Sequence, residues 1–272
     1  MPNTQTVCTT ERSGAETRAR LEQKISREHG VAVEFANHGR NELAREFLSL
    51  PNARTRTNRT VQCDGTLGMT FVEKSGGQRP GCWAHARRRL MACARGGDGI
   101  ATEGLKHIAA LFLLERNSAA GESEDARRDR RRRDCPVVLQ TILEWLDEGQ
   151  RRAEPKSALG KALGYIKRQW PRLVLFVNDP RAELTNNRVE REIRAVAVGR
   201  KNWLFVETEI GGARCAVMET VIGTCVAQGI NPLDYLQHVL QSLIVGNTDY
   251  ESLVPQTLAQ KIPSLKTTRT AA

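Results

Sequence analysis

Val61-Gln62-Cys63-Asp64-Gly65 puts an aspartate at the C-terminal end of an apolar run, directly before a glycine. The run reads as a strand ending in a turn, and open α/β sheets bind their ligands at that end of their strands. Toward the N-terminus, Val31-Ala32-Val33-Glu34-Phe35 alternates apolar and polar residues and reads as another short strand. Between the two, residues 41–50 read as a helix with Leu43, Phe47, Leu48 and Leu50 apolar, ended by Pro51. Strand, helix, strand in that order predicts an α/β unit with neighbouring parallel strands. Residues 1–30 are polar, with a helical stretch expected over 15–29 and no marked apolar stripe.

Toward the C-terminus the pattern becomes helical. Residues 83–93 form a helix carrying the block Arg87-Arg88-Arg89, and residues 100–175 read as almost wholly helical. Within them, 100–114 is apolar-rich, 122–134 is a charge run of both signs, 137–146 is amphipathic, and 157–170 is a helix stopped by Pro171. The charge run reads by default as a solvated helix or loop, with a DNA contact as the alternative. Residues 173–177 fit either a buried strand or the end of the preceding helix. A helix opens at Asn186-Asn187, with Val189, Ile193 and Val196 on one face, and 203–206 reads as a strand or packed turn. Residues 213–228 form a helix apolar on most sides, expected to be buried and capped by Gly229. Residues 232–245 make the last helix, and the tail after Asp249 is expected to be loosely held.

With 272 residues, 40% of them hydrophobic, the chain can build a sizeable core. Lys plus Arg number 41 against 31 Asp plus Glu, a net charge of +10 that suits a polyanion, nucleic acid being the commonest; solubility alone is the competing reading. Cysteines at 8, 63, 82, 93, 135, 215 and 225 are odd in number and contain no Cys-x-x-Cys. That argues against a disulfide framework or a four-cysteine zinc site and for a reducing cytoplasm. The N-terminus has no apolar core for a signal peptide, and the reading finds no run approaching the ~18 apolar residues of a membrane span. A soluble, nucleoid-associated cytoplasmic protein without a membrane partner is expected.

Asp64 and Glu190 stand out as candidate metal ligands. Carboxylates converging from a strand end and a helix hold hard divalent cations, which take oxygen ligands. Two such ions about 4 Å apart activate an attacking hydroxyl and stabilise the leaving oxygen of a phosphodiester. Each carboxylate also has a structural reading. Asn187-x-x-Glu190 is a capping box, Glu190 and Arg194 are an i,i+4 pair, and Asp-Gly is an ordinary turn signal.

Gly81-Cys82-Trp83-Ala84-His85-Ala86-Arg87-Arg88-Arg89 resembles the GCWAHARR signature of the insertion-sequence-66 transposase family. Thr185-Asn186-Asn187-Arg188-Val189-Glu190-Arg191 is similar to its DNNxxER run, and the segment 196–205 to its VGRKNWLF run. The resemblance implies a ribonuclease-H-like α/β core, incomplete at the N-terminus, with a helical insertion and a helical C-terminal element. It divides the chain into a poorly defined segment 1–30, core halves at 31–95 and 173–228, the insertion at 96–172, a C-terminal element at 229–245 and a tail at 246–272. It also implies metal-dependent DNA cleavage and strand transfer by an Asp-Asp-Glu triad, with Asp64 second and Glu190 third, holding two Mg2+ or Mn2+ ions. Arg87, Arg88, Arg191, Arg194, Arg200 and Lys201 become the candidate DNA contacts. The partners implied are double-stranded insertion-sequence ends and target DNA, and a second copy or a full-length relative.

The chain departs from the family in one respect that matters: no aspartate precedes Asp64. Thr185 also stands where the family has Asp. The expectation is an N-terminally shortened or decayed copy that has lost the first strand and its aspartate, and is inactive or nearly so. A non-catalytic DNA-binding remnant is the alternative, and a basic helical scaffold a third reading outside DNA.

Overall fold

The computed structural model describes residues 6–10, 20–26, 30–36, 56–57, 59–63, 69–118, 121–187, 198, 208–262 and 265, the first three ranges as backbone alone. They belong to two compact units, Asn52–Arg188 and Met1–Pro51 with Val189–Ala272.

The unit Asn52–Arg188 is a helical bundle joined to a short strand. Its helices are α1 (Thr70–Lys74), α2 (Trp83–Arg95), α3 (Gly99–Arg116), α4 (Glu124–Arg152) and α5 (Ala158–Leu173). Local sequence explains the starts of the last three. Asp98, Ser123 and Ser157 each accept a backbone N–H from the first turn, those of Ala101, Ala126 and Gly160 respectively. Glu124 and Asp125 at the start of α4 and Arg151 and Arg152 at its end complement the helix dipole.

Two prolines do not act as the sequence suggests. The segments expected separately at 122–134 and 137–146 are one helix of 29 residues running through Pro136, and α5 continues past Pro171 to Leu173. A proline inside a helix costs about 3 kcal/mol. Burial of Cys135, Leu139, Ile142, Trp145 and Leu146 along α4 outweighs it. Residues 175–177 form a single 3-10 turn after α5 with Phe176 buried, so the helix-end reading of that run holds.

The core joins Trp83, Ala86 and Leu90 of α2 to Ile108 and Leu111 of α3, Ile142 and Leu146 of α4, and Leu163 and Ile166 of α5. Trp145 lies flat against Gly104, where any side chain would overlap its ring, and donates its indole N–H to Ile100 O at 3.0 Å. That close approach of α3 and α4 brings Glu115 over the arginines of α4.

β4 (Val61–Gln62) runs parallel to residues 78–80. The N–H of Val61 donates to Gln78 O at 2.9 Å, that of Gln78 to Arg59 O at 3.0 Å and that of Cys63 to Pro80 O at 3.4 Å.

In the other unit, β1 (Thr6–Thr10), β2 (Arg20–Ser26) and β3 (Gly30–Ala36) form an antiparallel meander. β3 is the strand expected at 31–35, but the helix expected over 15–29 is replaced by β2. No apolar stripe supports a helix there. The competing force is backbone pairing: β3 needs a hydrogen-bonded neighbour, and a three-residue connection supplies it, with Ser26 opposite Gly30 and Leu21 opposite Phe35. Two strands therefore precede β3. The helix expected at 41–50 and the strand or turn at 203–206 lie outside the described residues.

α6 (Glu209–Ala227) packs along β3 and is followed by α7 (Pro232–Ile244), a 3-10 turn at Tyr250–Leu253 and α8 (Pro255–Lys261). Gly229 ends α6 at φ 71°, as expected of a helix cap. α6 is less buried than its composition suggests: Val217, Met218 and Val226 are exposed, because packing covers only one side. By length and composition alone, Ile210–Ala227 is also apolar enough to cross a membrane, contrary to the sequence reading. The described residues after Asp249 are anchored. Leu253 is buried, Leu258, Ala259 and Leu265 pack with Cys225, Ile230 and Tyr235, and the Tyr235 hydroxyl donates to Leu253 O at 2.7 Å.

Candidate functional site

Asp64, Glu190, Arg191, Arg194, Arg200 and Lys201 lie outside the described residues. What the structure does place is the pair of segments leading into the two carboxylates, both within the unit Asn52–Arg188. Gln62, two positions before Asp64, is buried on β4. Its Nε2 donates to Glu183 O, and its Oε1 accepts the Glu183 N–H at 3.1 Å, a two-way amide pairing across 121 positions. Nε2 also reaches Gly81 O at 3.3 Å. The strand before Asp64 is thereby clamped to the segment seven positions before Glu190.

The Gly81-Cys82-Trp83 turn completes the junction. The N–H of Gly81 donates to Arg172 O at 3.0 Å, that of Trp83 to Leu184 O at 2.9 Å, and the Trp83 indole N–H to Leu173 O at 2.9 Å. Cys82, buried at the start of α2, accepts the Asn186 N–H on its Sγ at 3.5 Å. The signature tryptophan and cysteine thus hold the chain that leads toward Glu190. Asn186 itself is 1% exposed, and neither Oδ1 nor Nδ2 of its carboxamide has a hydrogen-bond partner among the described residues.

Two partly buried ion-pair clusters flank this junction. Glu73 takes a two-pronged contact from Arg172, at 2.7 and 3.0 Å, and a third from buried Arg79 at 3.2 Å. Burial opposes ionisation of Glu73, but the hydrogen bonds and charges of Arg172 and Arg79 outweigh it and hold its carboxyl below the usual range. Two guanidiniums sharing one carboxylate leave a surplus positive charge, and Arg79 Nη1 lies 3.9 Å from Cys63 Sγ, one position before Asp64. Asp179 accepts from Arg181 at 2.9 and 3.1 Å and from the Thr60 hydroxyl at 2.5 Å. Burial again opposes its charge, and the Arg181 and Thr60 hydrogen bonds prevail and lower its pKa.

Arg87 and Arg88 sit exposed on α2, which carries no acidic residue, and Arg89 beside them stacks 4.1 Å over the Tyr165 ring. The charge run at the start of α4 has a different fate. Arg131 is buried: it takes both oxygens of Glu115 at 3.0 and 2.6 Å and donates to the carbonyls of Phe176, Asp179 and Ala182. Arg130 bridges Glu115 and Glu122, Arg128 pairs with Asp125, and Arg133 with Asp134. Sequence reasoning missed this structural role of Arg131, because nothing in a mixed-sign run marks which arginine turns inward. Among the described residues no three His, Cys, Asp or Glu side chains converge as a metal site.

Residues 10–214 match the family described as Transposase IS66 family. Three proteins of Sinorhizobium fredii, printed as uncharacterized proteins, are similar to the chain. One, y4jD, is 33% identical over 178 residues, 64% of this chain and 35% of the relative. Another, y4hP, is 34% identical over 172 residues, 58% and 31% respectively, and y4qI is 29% identical over 206 residues, 72% and 38%. The chain spans about a third of the length of these relatives. No solved structure matches it.

Proposed function

The chain belongs to the IS66 transposase family, and on that premise we propose that it derives from an enzyme that cuts and joins DNA at insertion-sequence ends by metal-dependent phosphoryl transfer, with Asp64 and Glu190 as metal ligands. The observation that carries the reading is the clamp of Gln62 on Glu183, reinforced by Cys82 on Asn186. It ties the strand that runs into Asp64 to the segment that runs into Glu190. An antiparallel three-strand meander followed by a strand ending at the acidic position also suits a ribonuclease-H-like core.

Two carboxylates, known here from sequence, are donors of the kind a hard divalent cation takes. Bound Mg2+ or Mn2+, as a pair in an intact site, would activate the attacking hydroxyl and stabilise the leaving oxygen. The protein's own part is to position. Arg87 and Arg88, with Arg191, Arg194, Arg200 and Lys201, bind backbone phosphates of double-stranded end and target DNA. The Glu73 and Asp179 clusters keep the junction rigid. A second copy or a full-length relative is the expected protein partner.

An Asp-Asp-Glu site needs one more carboxylate beside Asp64 and Glu190, and two ligands alone would hold the ions loosely and join DNA poorly. Displacement of reacting groups by about 1 Å costs on the order of 10²-fold in rate. A strand-transfer assay with Mg2+ or Mn2+ and terminal-repeat DNA checks this: joining at least ~100-fold below an intact relative is expected, and robust joining refutes the defect. The exposed Arg87 and Arg88 of α2 favour a second reading, a non-catalytic DNA-binding remnant. Mn2+ binding that disappears in Asp64→Ala and Glu190→Ala selects the first reading, and salt-dependent DNA binding without metal binding selects the second.

A further inference from the structure

α2 and α5 each carry four basic residues and no carboxylate, whereas the whole chain mixes 41 basic residues with 31 acidic ones. The two helices pack together. Trp83, Ala86 and Leu90 of α2 share a core with Leu163 and Ile166 of α5, and the Trp83 and Trp170 rings meet edge to face with centroids 5.9 Å apart. At the seam the Arg89 guanidinium lies 4.1 Å over the Tyr165 ring. Lys161, Tyr165 and Arg168 stand at i, i+4 and i+7 and so share one face of α5, with Lys161 and Arg168 exposed. Arg168 lies back along that face, its Nη1 3.2 Å from where a Cβ on Gly164 would be. On α2, Arg88 and Arg95 are also seven apart, two turns along one exposed line. Two cations are spent on neighbouring helices, Lys167 on Asp147 of α4 and Arg172 on Glu73 of α1.

We infer that Arg89 and Arg95 of α2 and Lys161 and Arg168 of α5 extend the Arg87 and Arg88 contact into one phosphate-binding surface for duplex DNA, an inference that rests on the DNA-binding part of the reading above. A charge excess that served solubility alone would have carboxylates interspersed, as on α4, where Arg128 and Arg133 pair with acids of their own helix. Like charge gathered on two adjoining helices costs mutual repulsion, which a polyanion relieves. Residues seven apart stand about 10 Å apart along a helix axis, close to three base-pair rises of ~3.4 Å. Each exposed row therefore matches successive phosphates of one strand. The contact is to the sugar–phosphate backbone and carries no sequence preference of its own.

The test titrates the full chain against a labelled duplex at several salt concentrations, once with terminal-repeat DNA and once with unrelated sequence. Lys161→Gln combined with Arg168→Gln should lower the slope of log K against log salt by about 2, one for each lost phosphate contact. Arg89→Gln combined with Arg95→Gln should do the same. Both losses should be equal on the two duplexes, and a loss confined to terminal-repeat DNA overturns the backbone assignment. If the parent binds with a salt-dependent slope and the α5 pair keeps it, the inference falls and DNA binding through Arg87 and Arg88 stands. If the parent shows no salt-dependent binding, the DNA reading falls and the inference with it. A second measurement needs no variant: acetylation of the unmodified chain, read by mass spectrometry. Duplex DNA should protect Lys161 several-fold more than Lys106, which is exposed on α3 three positions from Glu103. Protection of Lys161 no greater than that of Lys106 overturns the inference even where a variant does not fold.

Discussion

Two arginine-rich stretches of the same unit, at the start of α4 and along α2, look alike in composition and end in opposite roles. On α4 the run sits among Glu122, Asp125, Asp129 and Asp134, and α3 brings Glu115 over it; the guanidiniums are spent on ion pairs, and Arg131 is drawn inside. On α2 no acidic residue occurs, and Arg87 and Arg88 remain exposed. The lesson is that composition does not say which arginines are drawn into buried ion pairs; carboxylates within a helical turn and on the facing helix decide it for the start of α4.

The sharpest way to break the contrast is to remove Arg131. Arg131→Ala leaves Glu115 to Arg130 alone and takes the guanidinium from the Phe176 and Ala182 carbonyls, and loss of one partner of a buried pair costs about 3–5 kcal/mol. Urea unfolding should show it, and Arg131→Lys should recover little, since an ammonium cannot reproduce the planar fork. A midpoint within experimental error of the parent would show that the cluster is not what holds the 176–182 segment.

Gly104→Ala attacks the same cluster indirectly. Its methyl group meets the Trp145 ring and pushes α3 away from α4, which should cost about 1–3 kcal/mol in thermal or urea unfolding. An unchanged stability would mean that the two helices adjust without loss.

Arg87→Ala and Arg88→Ala test the other side of the contrast. Both should leave stability within about 0.5 kcal/mol while weakening DNA binding. Each should lower the slope of log K against log salt by about 1. Arg128→Ala with Arg133→Ala, on α4, should leave that slope unchanged. A larger loss from the α4 pair than from the α2 pair would invert the assignment.

The smallest expected effect is that of acid. The carboxyls of Glu115 and Asp179 are held below their usual values by their arginines, although burial opposes this. A lowered folded-state pKa adds stability that is fully present above the unfolded-state value, about 4. It is lost as pH falls through the folded-state values. Melting temperature should therefore be flat with respect to these groups from neutral pH to about 5 and fall below about 4. Arg131→Ala should flatten the part of that fall that Glu115 contributes.

Much of the bundle was legible in advance because its signals are local. Asp98, Ser123 and Ser157 announce the starts of α3, α4 and α5, and Gly229 announces the end of α6. β2 was misread because its own letters carry no marked pattern, and pairing with β3 decides its conformation. The prolines at 136 and 171 misled for a related reason: their local cost is real, and burial elsewhere along each helix exceeds it. Of the candidate site, the motif letters around Asp64, Trp83 and Glu190 were readable, but their attachment to one another was not. Gln62 and Glu183 stand 121 positions apart, and no periodicity links them.

The sequence by itself determined the family, the helical character of residues 83–173 and the absence of any aspartate before Asp64, since each is written in neighbouring letters. Tertiary structure alone decided which arginines are spent and which face solvent. It also decided that two strands precede β3, that Gln62 grips Glu183, and that the Asn186 carboxamide is buried with no hydrogen-bond partner among the described residues. Burial and hydrogen-bond satisfaction depend on what the rest of the chain brings alongside, and that is settled only when distant segments pack.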